Sequence, residues 1–381
     1  MVTTARFEYQ VPFTIEQHLA RLGCTIRWDH QRSERRSAAR TGRRVARFRV
    51  AGVPVILQVT RHHDETRPDR AESDQYVRLV EHELEHYAPD VLIACNGHEM
   101  IRAAMAASQQ RGVITVFTVR GYGYDYRELF EHVDHVFTCS EHLTRVFLEK
   151  TGLPSTPLSS PIDQGEVLVP AEHRRFLTLV NPSPHKGAIW FARLAQMLGD
   201  RRSDIPMMVV QSGRSAALLN SVPGVDFTRY PQIVAAPATP QPSDFLVLTR
   251  ALLVPSLWDE PFGRVAVEAM VNGIPPLVSD RGALPDVVGG DFFVTGGGGR
   301  VLPIPAHITP FTDQLPLAEE VQPWFDAVCQ LWDDSDHYAA ISQRAKEFAQ
   351  QHYSQSGQKS AHVNYLTGLQ KPSQPLPMRV T

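Results

Sequence analysis

The 381 residues are 43% hydrophobic and 21% charged, which excludes a disordered chain and leaves room for two domains of ordinary size. A formal net charge of −3 gives no electrostatic reason to bind nucleic acid. Four cysteines without paired spacing (Cys24, Cys95, Cys139, Cys329) read as reduced core residues, and no signal-peptide core or run of membrane-spanning length is present, so a cytoplasmic protein is expected.

The chain opens M-V-T-T-A-R-F-E-Y-Q-V-P and passes almost directly to a helix over 14–22, with Thr14 as N-cap. A strand follows at 25–28. Arg32, Arg35, Arg36, Arg40, Arg43, Arg44 and Arg47 form either a solvated loop or a surface for an anionic acceptor or a membrane face. Strands at 48–50 and 53–59 make a hairpin about Gly52. The pair His62–His63 has Asp64 beside it but no third ligand at useful spacing, so no metal is expected there.

From Ser73 the pattern turns regular. Ser73 caps a helix running to 87, and a strand at 91–95 ends at Asn96-Gly97-His98. A helix through 105 leads to a strand at 113–119, ending at Arg120-Gly121-Tyr122. A helix at 126–132, a strand at 136–138 and a helix at 141–150 continue the alternation, which predicts a doubly wound parallel sheet. His98 and Arg120 both fall just past strand carboxyl ends, where such sheets bind ligands; each is a site residue or an ordinary loop residue.

A second run of alternation starts with a strand at 176–180, the loop N-P-S-P-H-K-G over 181–187 and a helix to 198. Lys186 lies at this strand-to-helix turn, where an ammonium can reach a pyrophosphate. Further strands are expected at 207–211 and 225–228. Gly296 to Gly299 followed by Arg300 has the composition of a phosphate loop but precedes no helix, and reads as a flexible loop. Helices at 317–332, 338–351 and 354–369 follow, then a tail over 371–381 expected to be disordered. The string Asp334-x-Asp336 lies between two helices and reads as a cap, not a metal site.

The most informative stretch is ALLVPSLWDEPFGRVAVEAMVNGIPPLVSDRGAL, over 251–284. Apolar runs at 251–254 and 275–279 read as strands buried on both faces, flanking a loop at 255–262 and a helix at 263–271. The helix N-terminus offers unpaired N–H groups and a positive dipole, and Gly263 lets a ligand approach the backbone. Glu260 precedes the helix and Glu268 lies inside it among Val265, Ala266, Val267, Ala269 and Met270. Each is a dipole-favoured or solvated charge, or a carboxylate that accepts a pair of sugar hydroxyls; the apolar neighbours of Glu268 favour the second.

The string E-P-F-G-R-V-A-V-E-A-M-V-N-G-I-P resembles the E-x7-E signature of glycosyltransferase family 4, the retaining nucleotide-sugar transferases. The resemblance implies a GT-B fold, α/β, with two Rossmann-like doubly wound domains facing a central cleft. Residues 1–168 would form the acceptor-side domain, completed by a crossover helix at 354–370, and 169–353 the donor-binding domain. Ser159-Ser160-Pro161-Ile162-Asp163 resembles the family's Pro-Asn-x-Val-Asp step, placing the linker near 160–174.

Three departures stand out. The family's first strand and Gly-Gly loop are missing, unless 7–11 is a remnant of that strand. Its Thr-x-His-Gly at the first-domain strand end is here Thr118-Val119-Arg120-Gly121, and arginine supplies charge but cannot act as a base. Five residues before Lys186, the family's arginine is Asn181.

The resemblance implies transfer of a sugar, with retention, from a nucleotide-diphosphate donor of UDP or GDP type to a hydroxyl acceptor. Glu260, Lys186 and Arg120 would carry catalysis, and Glu268, Gly263, Arg264, Phe262, Asn181 and Ser183 would bind the donor. Glu260 would orient sugar hydroxyls and Glu268 the ribose diol, with His98 on the acceptor side. No cofactor or catalytic metal is implied, and peripheral membrane contact stays open. A GT-B epimerase and a non-catalytic nucleotide-sugar-binding protein are the alternative readings.

Overall fold

The computed structural model describes residues 1–5, 17, 19–20, 23–30, 44–59, 68–212, 219, 222, 224–372 and 376. The chain divides into two compact units. The first comprises Met1–Thr118, Tyr126–Val136 and Gln370–Pro377; the second comprises Val119–Asp125, Phe137–Leu369 and Met378–Thr381.

The first unit holds a four-stranded sheet of β1 (Val2–Ala5), β2 (Arg27–His30), β3 (Arg44–Val50) and β4 (Val53–Val59), in the order β1-β4-β3-β2. β1 pairs parallel with β4, and the other neighbours are antiparallel. A strand therefore does stand at the start of the chain, at Val2–Ala5, ahead of the 7–11 segment where a remnant was expected. The helix Arg70–Tyr87 begins one turn before Ser73. Asp69 accepts from the Glu72 amide while Glu72 reaches back to the Asp69 amide, a capping box that sets the boundary. β5 (Val91–Ala94) and β6 (Ile114–Val119) pair in parallel, with the helix Glu99–Gln110 between them in sequence.

The second unit contains β7 (His135–Thr138) from Phe137 on, paired in parallel with β8 (Thr156–Pro157). Its main feature is a six-stranded, all-parallel sheet. The strands are β9 (Phe176–Val180), β10 (Met207–Val210), β11 (Ile233–Ala236), β12 (Thr249–Val254), β13 (Pro276–Ser279) and β14 (Arg300–Leu302). Their order is β11-β10-β9-β12-β13-β14, the doubly wound arrangement whose switch point falls between the two central strands, β9 and β12. The four inner strands are nearly all buried, which accounts for their unbroken apolar sequences. Thr178 and Thr249 share a buried hydroxyl–hydroxyl hydrogen bond of 2.9 Å where the β9–β12 register shifts. The helices Ala188–Arg201 and Ala318–Asp333 meet edge to face through Trp190 and Trp324, 6.2 Å between ring centroids.

Several expectations are corrected. The segment at 126–132 is a single 3-10 turn, Arg127–Leu129, because Tyr126 is extended and donates its hydroxyl hydrogen bond to the Gly97 carbonyl at 2.8 Å. No strand forms at 225–228: Asp226 accepts from the Thr228 amide and bends the chain into a 3-10 turn, and β11 follows instead. Within the run at 296–299, Gly297, Gly298 and Gly299 are buried and packed, not loose. A Cβ on Gly298 would lie 2.7 Å from Met270 Sδ, and one on Gly299 2.8 Å from Pro276 Cγ. Asp334 caps the helix Ser335–Tyr353 by accepting from the His337 amide, as its spacing suggested. The helix Gln355–Thr367 is anchored by Gln358, which accepts from the Ile162 amide and donates to Ser159 and the Ser160 carbonyl. Of the helix expected at 14–22, the described residues Gln17, Leu19 and Ala20 are helical. The 7–11 segment, Arg32 to Arg43, and His62–His63 with Asp64 lie outside the described residues.

The two loops at the switch point are clamped together. Gly187 has φ +83°, and a Cβ there would fall 1.9 Å from the Pro255 carbonyl oxygen. Gly187→Ala is therefore expected to destabilise the fold by roughly 2–4 kcal/mol, from left-handed strain plus overpacking against backbone. Equilibrium denaturation measures this; a loss under about 0.5 kcal/mol, the range of an ordinary surface substitution, would contradict the clamp.

Candidate active site

A cavity of about 510 Å³ opens at the carboxyl ends of β9 and β12, lined entirely by residues of the second unit. Of the residues singled out by sequence, Arg120, Asn181, Lys186, Glu260, Phe262, Gly263, Arg264 and Glu268 line it. His98 belongs to the first unit, at the N-cap of the helix Glu99–Gln110, where its amide bonds the Asn96 side chain at 3.1 Å. Ser183 does not line the cavity; its carbonyl accepts from the Lys186 and Ala188 amides and so shapes the turn that carries Lys186.

Lys186 and Glu260 form an ion pair, Nζ to Oε1 2.5 Å, and Ser256 Oγ donates to the same oxygen at 2.5 Å. The Glu260 side chain is only 5% exposed, so this carboxylate must be paired to be tolerated. Its backbone is fixed as well. The Ala283 amide donates to the Glu260 carbonyl at 2.8 Å, and a Cβ on Gly282 would fall 2.3 Å from the Glu260 nitrogen. Ser279 donates to the Ser256 carbonyl at 2.8 Å, which ties this loop to the end of β13.

Gly263, with φ +96°, precedes the helix Arg264–Val271. A side chain there would meet Leu284 Cδ2 at 2.6 Å, so glycine is required by both strain and space. One and a half turns on, Glu268 is 4% exposed and binds Arg264 Nε through Oε1 at 2.6 Å. Burial pushes the Glu268 carboxyl above its ordinary value, and the Arg264 guanidinium only partly offsets this. Asn272 caps the same helix from below, donating to the Glu268 and Val167 carbonyls and accepting from the Val169 amide.

Sequence reading missed several lining groups. Ser256 lies four residues before Glu260, and nothing in its local pattern marks it as a partner. Trp258 lies under Lys186, whose Nζ is 5.4 Å from the ring centroid. Cys139, buried and pushed up to about 11 by desolvation, lines the cavity, and its neighbour Ser140 donates to the Pro261 carbonyl at 2.6 Å. Thr239, Pro242 and Phe245 line it as well. Only their position past β11 could have flagged them, and that strand was misplaced in sequence. Among the described residues, no group of three or more His, Cys, Asp or Glu is arranged to hold a metal ion. No helix of the described residues is long and apolar enough to cross a membrane.

The site thus joins two buried carboxylates, their cations and a free helix N-terminus at the switch point of a doubly wound sheet. Residues 234–296, which include this helix and both flanking strands, match the family model described as Glycosyl transferases group 1. Among solved structures, the chain is similar to Anabaena Alr3699/HepE, determined in complex with UDP and glucose. Identity is 16% and the TM-score 0.63, over 84% of this chain and 87% of that one. It is also similar to a glycosyltransferase from Rickettsia africae ESF-5, with 10% identity, TM-score 0.60, and 83% and 86% of the two chains covered. Sucrose-phosphate synthase from Thermosynechococcus elongatus gives 14%, 0.57, and 82% and 83%. The fold is GT-B. No curated protein matches the sequence.

Glu268 has a measurable signature. A carboxyl raised in the fold favours its neutral form, so its contribution is intact below about pH 4.5 and is lost as pH rises through the raised value. Glu268→Gln removes that loss, so the variant should gain stability relative to wild type between pH 4.5 and 7, by about 1.4 kcal/mol per pH unit of elevation. Thermal melts of the two proteins across this range test it, and a difference independent of pH would contradict it.

Proposed function

We propose that the protein is a retaining, family 4-type glycosyltransferase that moves a sugar from a UDP-sugar to a hydroxyl acceptor. The observation that carries this reading is the Lys186–Glu260 pair beside the Gly263 helix N-terminus, with Glu268 in the same cavity. Each part matches a part of the donor. The diphosphate suits Lys186, Arg264 and the unpaired N–H groups at the helix start, where charge and dipole both favour an anion. The ribose diol suits Glu268, because an ionised carboxylate accepts two hydroxyl hydrogen bonds. The sugar hydroxyls suit Glu260, which Ser256 and Lys186 hold in place. UDP as the nucleotide rests on the solved structure of Alr3699/HepE with UDP and glucose.

In the reaction, the bond between the anomeric carbon and the diphosphate oxygen breaks and the acceptor hydroxyl oxygen bonds the same carbon from the same face. Negative charge collects on the leaving diphosphate, where Lys186 and the helix dipole stabilise it more strongly than in the intact donor. A diphosphate oxygen takes the acceptor proton, so no protein nucleophile is assigned. Arg120 is the further cation of the cavity and stands in for the positive charge that Asn181 does not supply. We assign 1–168, with the terminal helix, to the acceptor side and 169–353 to the donor side. We place the protein in the cytoplasm, in keeping with four cysteines that form no disulfide among the described residues.

Glu268→Ala should weaken UDP binding by about 1.5–3 kcal/mol, the range for hydrogen bonds to a charged group. Glu260→Ala should leave UDP affinity near wild type, since it frees Lys186 for phosphate, and should instead lower turnover. Calorimetry with UDP separates the two; equal affinity for both variants and wild type would remove the ribose role. Arg120→His should slow donor hydrolysis, with part of the rate restored by adding Asn181→Arg. Purely additive effects would break the proposed compensation.

A further inference from the structure

We propose that the first unit carries a docking surface for an anionic lipid bilayer, built from Arg27, Arg47 and Arg49 beside the β3–β4 turn. Positive charge is concentrated in this part of the chain. Residues 27–49 hold nine arginines, no lysine and two acidic residues, in a protein whose formal net charge is −3. Salt confines attraction to nearby charges, so this local excess, not the net charge, decides what the surface meets. Arginine also suits phosphate better than lysine does, because its planar fork presents two N–H groups at once.

Arg27, Arg47 and Arg49 line a cavity of about 590 Å³ at the β2–β3 edge of the first sheet, together with Thr25, Pro54 and Glu83. Arg27 lies directly opposite Arg47 in the antiparallel register, a placement that like charges make unfavourable. Arg47 is relieved by Asp29 at 2.6 Å and by Glu83 at 3.4 Å. The same Asp29 is 3.7 Å from Arg27, whose side chain is 82% exposed. Arg49, two residues along the same face, is exposed and donates to the Gly52 carbonyl, not to a carboxylate. Arg27 and Arg49 therefore bring to the cavity positive charge that the fold does not neutralise.

An apolar turn adjoins these arginines. Ala51 and Gly52, both at positive φ, reverse the chain between β3 and β4. Ala51, Val53 and Pro54 are exposed, and Pro54 is both the register partner of Arg49 and a lining residue of the cavity. This combination selects the partner. Phospholipid phosphates accept from Arg27 and Arg49, while the aliphatic turn enters the boundary between headgroups and acyl chains. A free phosphate ion would leave the turn in water. A nucleic acid would call for aromatic rings on which bases stack, and the exposed residues of this turn are aliphatic.

The test is co-sedimentation of the full chain with phosphatidylcholine vesicles, with and without phosphatidylglycerol. The protein should partition onto the phosphatidylglycerol vesicles only, and less as salt rises. Arg27→Gln and Arg49→Gln should each lower the partition coefficient about fivefold, the effect of one basic residue at an anionic surface. Val53→Asp should lower it too, whereas Arg229→Gln, an exposed arginine of the second unit, should not. Thermal melts report that each variant is folded. Equal partition onto both kinds of vesicle, or wild-type partition by both arginine variants, would overturn the proposal. So would release from the vesicles by inorganic phosphate at constant ionic strength, which makes the cavity a soluble-phosphate site. Release by an RNA oligonucleotide under the same conditions would make nucleic acid the partner and overturn it as well.

Discussion

The contact between Gly187 and the Pro255 carbonyl is the constraint on which the rest of the site depends. β9 and β12 are neighbours, yet their crossovers leave in opposite directions along the sheet, so a gap opens above their carboxyl ends. The gap becomes a site only if the loops leaving the two strands stay together. A positive-φ glycine packed on backbone oxygen, with the Leu257 amide bonded to the His185 carbonyl, achieves this. Lys186 and Glu260, far apart in sequence, are then brought into one ion pair as a consequence of backbone packing.

The electrostatics of the unliganded site follow from that geometry. Two nearly buried carboxylates each hold one cation, Glu260 with Lys186 and Glu268 with Arg264. Unpaired, either would be strongly destabilising, so the pairs stabilise the empty site more than they strengthen the fold as a whole. On the proposed reading, phosphate oxygens of an incoming donor compete for the cations, while sugar and ribose hydroxyls compensate the carboxylates. On that reading the same charges serve the empty and the occupied state, with the two ion pairs opening as the donor enters.

Much of this was legible in the sequence, and the reasons are specific. The strands at 176–180 and 251–254 are buried on both faces, so their apolar runs showed directly, and a lone Glu268 in an apolar helix demanded a partner. What sequence could not show were contacts closed by tertiary packing. Trp258 and Cys139 have no local signature because each acts through a neighbour distant in the chain, and Ser256 has none because only the turn of its loop brings its hydroxyl to Glu260. The 3-10 turns at Arg127–Leu129 and Phe227–Arg229 were misread because a tyrosine hydroxyl in one case and an Asp side chain in the other override local propensity. The glycines at 296–299 were misread for the opposite reason. Gly297 packs on the Gly290 carbonyl, and Gly298 and Gly299 admit Met270 and Pro276 at close range, a packing requirement that looks like flexibility in one dimension.

The most direct test of the account is the crystal structure of the protein with UDP bound. The diphosphate should lie at the Gly263–Arg264 helix start with Lys186 turned toward it, and both ribose hydroxyls should lie within hydrogen-bond distance of Glu268. Density for UDP elsewhere, or an intact Arg264–Glu268 pair with the ribose pointing away from the carboxylate at saturating nucleotide, would contradict it.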